Sequence, residues 1–497
     1  MARKPRVVDI PSIGALDRAG GQLGRQLANA LREAVRKGDL LPGDPLPSSR
    51  VLAQSLGIAR GTVIEAFEQL LAEGVLETQQ RAGTRVANSL AVPSQGESSR
   101  GRHAVIAQPL SPPARATAFA KVAQEFSPLP HVPFAVSVPV GSAQPGEAWR
   151  KLGNRIRSRG KGSPAGYGEP QGIRILREAV ADNVRRSRSV RCSPDQIVIT
   201  SGIQQALYLC CQILFEDGDE VWVEDPAYRG ITAILEHVAR GARVIRVPVD
   251  AEGIMVESGI AAGGQARAAF VTPSHQYPLG MPMSMARRNA LLDWAGKHNA
   301  WIVEDDYDSE LRYAGHPFPS LQGMDPIRVV YLGTFSKILF PSLRLGYAVV
   351  PEGLEAAFCG ARVLMDRHPP DFDQHVLAAF INEGHLDRHV RRIRGVYAER
   401  REQLIEMIGR LVPPDIAWLQ PSDQGMHVVL WLAHRVDDRA IVAALLAAGV
   451  AARPVSPMFS DGKGRPGLIL GLGDFDRPRV EAAIRQLTAV LLAIGRA

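Results

Sequence analysis

Six short apolar runs, Gln196–Thr200, Glu220–Glu224, Arg243–Val247, Ala268–Thr272, Ala300–Glu304 and Val329–Leu332, alternate with helical patterns from Phe126 onward. Most lack the period-two alternation of a strand with one wet face, so their strands need cover on both faces. That is the signature of an α/β sheet with parallel pairings. The chain has 497 residues, enough for two to four domains. With 45% apolar and 22% charged residues, it is too hydrophobic for a mainly disordered chain. The first ten residues carry Arg3, Lys4 and Arg6 without a secretory apolar stretch, and no run of about 18 apolar residues follows, so a cytoplasmic protein with no membrane partner is expected. Cys192, Cys210, Cys211 and Cys359 offer neither a CxxC pair nor a disulfide framework; they read as buried thiols, and no metal site is expected.

The excess charge lies in front of the sheet. The chain has 58 Lys and Arg against 51 Asp and Glu, a net +7, and residues 1–125 hold 16 of the former and 11 of the latter. A basic front suggests a polyanion partner. Within it, Leu23, Leu27, Ala30, Leu31 and Ala34 recur at helical spacing up to the stop at Gly38. A short helix follows Pro47-Ser48-Ser49, and a third opens at Arg60-Gly61-Thr62 and stops at Gly74. Val75–Thr78 and Thr84–Ala87 read as two strands around a turn. Two helices joined by a tight turn and followed by a hairpin make an α+β winged helix-turn-helix, whose second helix can enter the major groove.

The segments Leu46-Pro47-Ser48-Ser49-Arg50, Arg60-Gly61-Thr62-Val63, Leu70-Leu71-Ala72-Glu73-Gly74 and Gly83-Thr84 resemble the GntR family of bacterial regulators. The resemblance implies that Ser48, Arg50, Arg60 and Thr62 contact double-stranded operator DNA. Both arginines would sit at helix N-termini, where backbone N–H groups also face phosphate. Gly83 and Thr84 would be the wing tip in the minor groove, although Ala82 departs from the family's usual Gly-x-Gly. The chain thus divides into a DNA-binding domain, residues 1–88, a Ser-, Pro-, Ala- and Arg-rich linker, 89–125, and a large domain, 126–497. Arg100, Arg102, Arg115 and Lys121 of the linker read as phosphate contacts or as solvated spacer charge.

In an open α/β sheet, ligands sit beyond the carboxyl ends of strands. Thr200-Ser201-Gly202-Ile203-Gln204 there is a glycine turn into a helix, able to aim backbone N–H groups at a phosphate. Glu304-Asp305-Asp306-Tyr307-Asp308 brings acids that need a cation, and Gly333-Thr334-Phe335-Ser336-Lys337 supplies an amine, followed by Arg344.

Together these motifs resemble the fold-type I aminotransferases, which use pyridoxal 5′-phosphate (PLP), from roughly Tyr167 to the C-terminus. Fused behind a GntR-type module, they resemble the MocR subfamily of transcriptional regulators, with a large mainly parallel domain and a smaller C-terminal α/β domain. The resemblance makes Lys337 the Schiff-base lysine, its neutral amine attacking the cofactor aldehyde. Asp305 pairs with the pyridine nitrogen, with Asp306 as competitor for that role. Tyr307 bonds the 3′-oxygen, and Tyr228 stacks on the ring. Ser201, Gly202, Ile203 and Gln204 form the phosphate cup, closed by Thr334, Ser336 and Arg344, whose fork suits phosphate. Tyr167 reaches the partner subunit's phosphate, which implies a homodimer.

Two departures bear on turnover. Tyr277 stands where many aminotransferases have the Asn of Asn-Pro-Thr-Gly, and Leu468-Ile469-Leu470-Gly471 replaces the strand that usually bears the substrate-carboxylate arginine. Arg453 matches an arginine that MocR-type regulators use for an effector carboxylate. The expected protein is therefore a PLP-dependent regulator with at most weak transamination, whose inputs are an amine or amino acid, or PLP itself, and for which RNA polymerase is a further candidate partner. An active aminotransferase with an appended DNA-binding module, and a DNA-binding protein with a cofactor-free structural domain, are the alternatives.

Overall fold

The computed structural model describes residues 13, 16–18, 20–79, 83–88, 111–136, 139, 145–160, 164–239, 241–315, 318–433, 436–462, 464–473 and 475–494. The chain forms two compact bodies, the second opening at Ser111.

In the first body, helices Leu23–Lys37, Ser49–Leu56 and Arg60–Ala72 precede strands β1 (Leu76–Gln79) and β2 (Gly83–Val86), which pair antiparallel. Gly57, at φ 61°, ends the second helix in the left-handed region, where glycine lacks the Cβ clash other residues meet, and the third helix begins three residues later. Leu27, Leu31, Leu52, Val63, Phe67, Leu70, Leu76 and Val86 close one core. The sequence pattern and this body agree. Ala82 falls outside the described residues.

The second body holds an eight-stranded sheet. Its strands are β3 (Ile197–Thr200), β4 (Glu220–Asp225), β5 (Arg243–Asp250), β6 (Gly253–Ile254), β7 (Ala268–Val271), β8 (Trp301–Asp306), β9 (Val329–Thr334) and β10 (Gly346–Val349), in the order β3-β10-β9-β8-β7-β4-β5-β6. Pairings from β9 through β8, β7 and β4 to β5 are parallel. Strand β10 runs antiparallel to both β3 and β9, so β3 points the same way as the parallel set. All six sequence-predicted runs are strands; β10, inside a segment read for its arginine, was not predicted.

The two faces of this sheet are covered separately. Val221, Val223, Phe270, Val303, Val330 and Leu332 pack with Ala206, Leu209 and Cys210 of helix Ile203–Ile213 and with Ile231 and Ile234 of helix Arg229–His237. On the other face Trp222, Ala269 and Ile302 meet helix Met285–His298, where Trp294 stacks on Trp222 at 3.8 Å. Ile199, Tyr331 and Tyr347 on that face pack with Leu176, Val180 and Val184 of helix Arg174–Arg188. Such double cover is what the unalternating apolar runs require.

A smaller antiparallel sheet follows, ordered β11-β12-β14-β13, from β11 (Ala417–Leu419), β12 (His427–Leu432), β13 (Arg453–Pro454) and β14 (Gly467–Gly471). Helices His385–Leu411, Asp438–Ala447 and Arg477–Ile494 contribute Met407, Ile441, Leu445, Ile484 and Leu487 to its core.

One expectation is corrected. Residues 114–125, assigned to the linker, form helix Ala114–Glu125 of the second body. Its composition favours helix, but it buries no residue, so it has no apolar period for sequence reading to find. Arg115 and Lys121 lie on this helix, whereas residues 89–110, with Arg100 and Arg102, lie outside the described residues.

Candidate functional site

The carboxyl ends of β8 and β9 open onto a cavity of about 270 Å³, bordered also by the start of helix Ile203–Ile213 and by β13. Strand alternation decides between its two neighbouring acids, because successive side chains on β8 point to opposite faces. Asp305 borders the cavity, while Asp306 turns to the opposite face. There Asp306 Oδ2 accepts from Arg188 Nε at 2.8 Å and from the Tyr331 hydroxyl at 2.6 Å. Burial opposes the Arg188 charge, but the Asp306 carboxylate outweighs it and holds the guanidinium protonated. Asp306 is thereby committed to packing.

Asp305 has no such cation. Its Oδ1 is buried without a hydrogen-bond partner, and it forms no ion pair among the described residues. Burial, reinforced by Asp306, Glu224 and Asp308, pushes its carboxyl up to about 8. Lys337 follows β9 into the same cavity. Burial lowers its ammonium pKa against the pull of Asp308 and Asp305, favouring the neutral, nucleophilic amine.

An anion cradle lies beside them. Gly202, at φ 87°, is the N-cap of helix Ile203–Ile213, whose first amides have no carbonyl partners within the helix. Arg344 Nη2 donates to the Ser201 carbonyl at 2.6 Å, and its guanidinium lies 3.2 Å from where a Cβ on Gly202 would stand. Ser336 N donates to Thr334 Oγ1 at 3.1 Å, and the buried Ser336 Oγ has no partner among the described residues. Ile203, Gln204, Thr334, Ser336 and Arg344 border the cavity, with Ser201 and Gly202 held at its rim by Arg344.

Tyr228 and Tyr307 also border it, as does Tyr277, which meets both rings edge-on at 5.6 and 5.9 Å. The Tyr228 hydroxyl donates to Gln204 Oε1 at 3.2 Å. Arg453, on β13, completes the wall and has no carboxylate partner among the described residues. It is the register partner of Ile469, within the buried apolar β14. A guanidinium thus enters from the neighbouring strand, beside the segment in which aminotransferases usually carry theirs. Tyr167 is not part of this chain's cavity: it is 76% exposed, under the Arg367 guanidinium at 3.9 Å.

Sequence reading missed a layer behind these residues. His275 Nδ1 lies 3.0 Å from Asp308 Oδ2 and 2.9 Å from the Tyr307 hydroxyl, and His427 bonds the Pro278 carbonyl at 3.0 Å. Burial, with His275 adjacent, lowers His427 to about 4, so it is neutral at pH 7. Ligand-capable atoms of His275, Asp308 and His427 lie within 4.8 Å of one another. His275 lies three residues beyond the strand run Ala268–Thr272, but only the fold turns it beneath Tyr307. Glu125 and Arg229 were missed as cavity residues as well.

In the first body, Ser48 caps its helix by accepting from Val51 N at 3.4 Å, and Arg60 Nε donates to Ser49 Oγ at 3.4 Å. Arg50 and Arg60 are exposed at the starts of helices Ser49–Leu56 and Arg60–Ala72, with Thr62 half-buried on the latter. Gly83, at φ 80°, opens β2, and the Thr84 carbonyl accepts from Leu46 N at 2.9 Å.

Comparison with known proteins agrees with both bodies. Residues 23–86 match the gntR family of bacterial regulatory proteins, and residues 133–466 match aminotransferase class I and II. The chain is 35% identical over 471 residues to the probable rhizopine catabolism regulatory protein MocR of Rhizobium meliloti, spanning 95% of this chain and 94% of that protein. The chain belongs to the MocR subfamily of GntR-type transcriptional regulators. Another relative of this MocR-type regulator is the pyridoxine biosynthesis transcriptional regulator PdxR of Corynebacterium glutamicum, 30% identical over 93% of this chain and 94% of that one. The fold is shared with the kynurenine aminotransferase of Pyrococcus horikoshii, solved in complex with PMP, at TM-score 0.67 and 27% identity over 77% of this chain and 95% of that one. No described helix is long and apolar enough to cross a membrane.

Proposed function

We propose that this MocR-type regulator binds PLP in the cavity through Lys337 and uses it to sense an amine, changing its hold on operator DNA. The unpartnered Asp305 carboxyl beside an amine of lowered pKa carries this reading, since a buried acid without a cation is costly unless a ligand pairs with it. The residues fit the cofactor. Asp305 holds the ring nitrogen, Ser336 Oγ, Arg344 and the amides after Gly202 take the phosphate, Tyr228 and Tyr307 face the ring, and Tyr167 serves the partner's site in a homodimer. When bound, PLP would supply an electrophilic aldehyde reactive toward amines.

The chain's own groups do the rest. Arg453 orients an effector carboxylate, Asp308 holds His275 against Tyr307, and Tyr277 takes the place of the usual Asn. With an apolar β14 and that Tyr, the site is built for recognition more than turnover. An effector shifts the regulator only through different affinities for its states. The wing and the Ser48–Thr62 surface face cytoplasmic operator DNA, and RNA polymerase is a further partner.

Borohydride reduction of PLP-loaded protein should leave one mass adduct on Lys337, absent in Lys337→Ala. An undiminished adduct in that variant would refute the assignment. On DNA, Arg50→Ala or Arg60→Ala should each lower the slope of log affinity against log salt by about 1, as loss of one phosphate contact does.

A further inference from the structure

We propose that Arg229 is a second acid-recognition site in the cavity and that Glu125 occupies it as a tethered stand-in, so that the effector is an amine bearing two acidic groups. The inference rests on the reading of the cavity as an amine site and specifies its ligand class. Arg229 and Arg453 both border the cavity, and they differ in one respect. Arg453 has no carboxylate among the described residues, whereas Arg229 Nε already holds Glu125 Oε2 at 2.8 Å.

Glu125 is the last residue of helix Ala114–Glu125, and Phe126, its C-cap, also borders the cavity. The helix buries none of its residues, so little apolar packing retains it. Its polar anchor is itself weak: the Glu125 and Arg229 side chains are 45% and 31% exposed, and exposed pairs of this kind add little to stability. A carboxylate brought in by a ligand can displace such a partner. Arg229 Nη1 meanwhile holds Glu236 Oε2 at 2.9 Å on its own helix, which keeps the guanidinium oriented after Glu125 leaves.

The consequence reaches the other body through the chain. Helix Ala114–Glu125 begins shortly after residues 89–110, the stretch of sequence that follows the DNA-binding module. A diacidic amine that takes Arg229 from Glu125 therefore acts on a helix at the second body's end of the covalent connection between the two bodies. By linkage, whatever state releases the helix binds that amine more tightly.

L-Glutamate and L-glutamine differ by this second charge and serve as probes. Titrated into the PLP-loaded full chain and followed by the cofactor's absorbance, glutamate should bind at least about fivefold more tightly, and Arg229→Gln should bring the ratio below about two. Glu125→Gln should widen it by about threefold and, with no amino acid present, raise amide hydrogen exchange across residues 114–125. Equal affinities in the unaltered chain, or a ratio unmoved by Arg229→Gln, would overturn the effector class. Unchanged exchange in Glu125→Gln would overturn the tether. Failure of PLP to attach to Lys337 would instead overturn the amine-site reading, and the exchange measurement would still judge the tether.

Discussion

The two faces of β8 carry adjacent aspartates with opposite fates. Asp306, toward helix Arg174–Arg188, meets a guanidinium and a tyrosine hydroxyl; Asp305, toward the cavity, meets neither. Each has an Oδ1 without a partner among the described residues, so what separates them is the cation. A fold that can pair one buried acid with an arginine has the means to pair the next. Under the proposed function, the unpaired Asp305 marks the face where the cofactor supplies the missing charge.

That contrast can be broken first at its paired side. Arg188→Met should strand Asp306 as a buried unpaired charge and cost about 3–5 kcal/mol in denaturant unfolding. Next, Tyr331→Phe removes one donor to the same oxygen and should cost about 2 kcal/mol. If the two faces have separate tasks, folded protein of this second variant should still form the Lys337 adduct normally. Loss of the adduct would show that the faces are coupled.

The smallest effect sharpens the contrast by its sign. Asp305 keeps its proton up to about pH 8 in the fold, whereas an unperturbed Asp ionises near 3.8. Between those values the unfolded chain binds fewer protons than the native one, so stability falls as pH rises through the window. Asp305→Asn should therefore stabilise the cofactor-free chain, by about 1 kcal/mol at pH 8 and negligibly at pH 4, once solvent in the cavity is allowed for. The same variant should weaken PLP binding. A destabilised Asp305→Asn at pH 8 would show that the carboxyl has a structural partner after all.

Much of this was legible beforehand because the signals are local. Apolar runs without alternation report strands covered on both faces, and the Gly202 turn and Lys337 motif are contiguous stretches. What stayed hidden depended on cover. Strand β10 lies within a segment whose arginine drew attention. Helix Ala114–Glu125 buries nothing and so leaves no pattern. His275 reaches Asp308 across 33 positions, a pairing that no local spacing announces.

The amino-acid order by itself determined two bodies, the winged module's elements and six strands of the large sheet, the amine, and the fact that Asp305 and Asp306 point opposite ways, since a strand's period of two follows from backbone geometry. Which of the two faces the cavity was settled only when helix Arg174–Arg188 brought Arg188 to one side of the sheet. In the same way, β13 placed Arg453, and helix Ala114–Glu125 set Glu125 on Arg229. Alternation is a property of the chain, whereas the partner that neutralises a buried charge comes from a distant segment and exists only after the layers have packed.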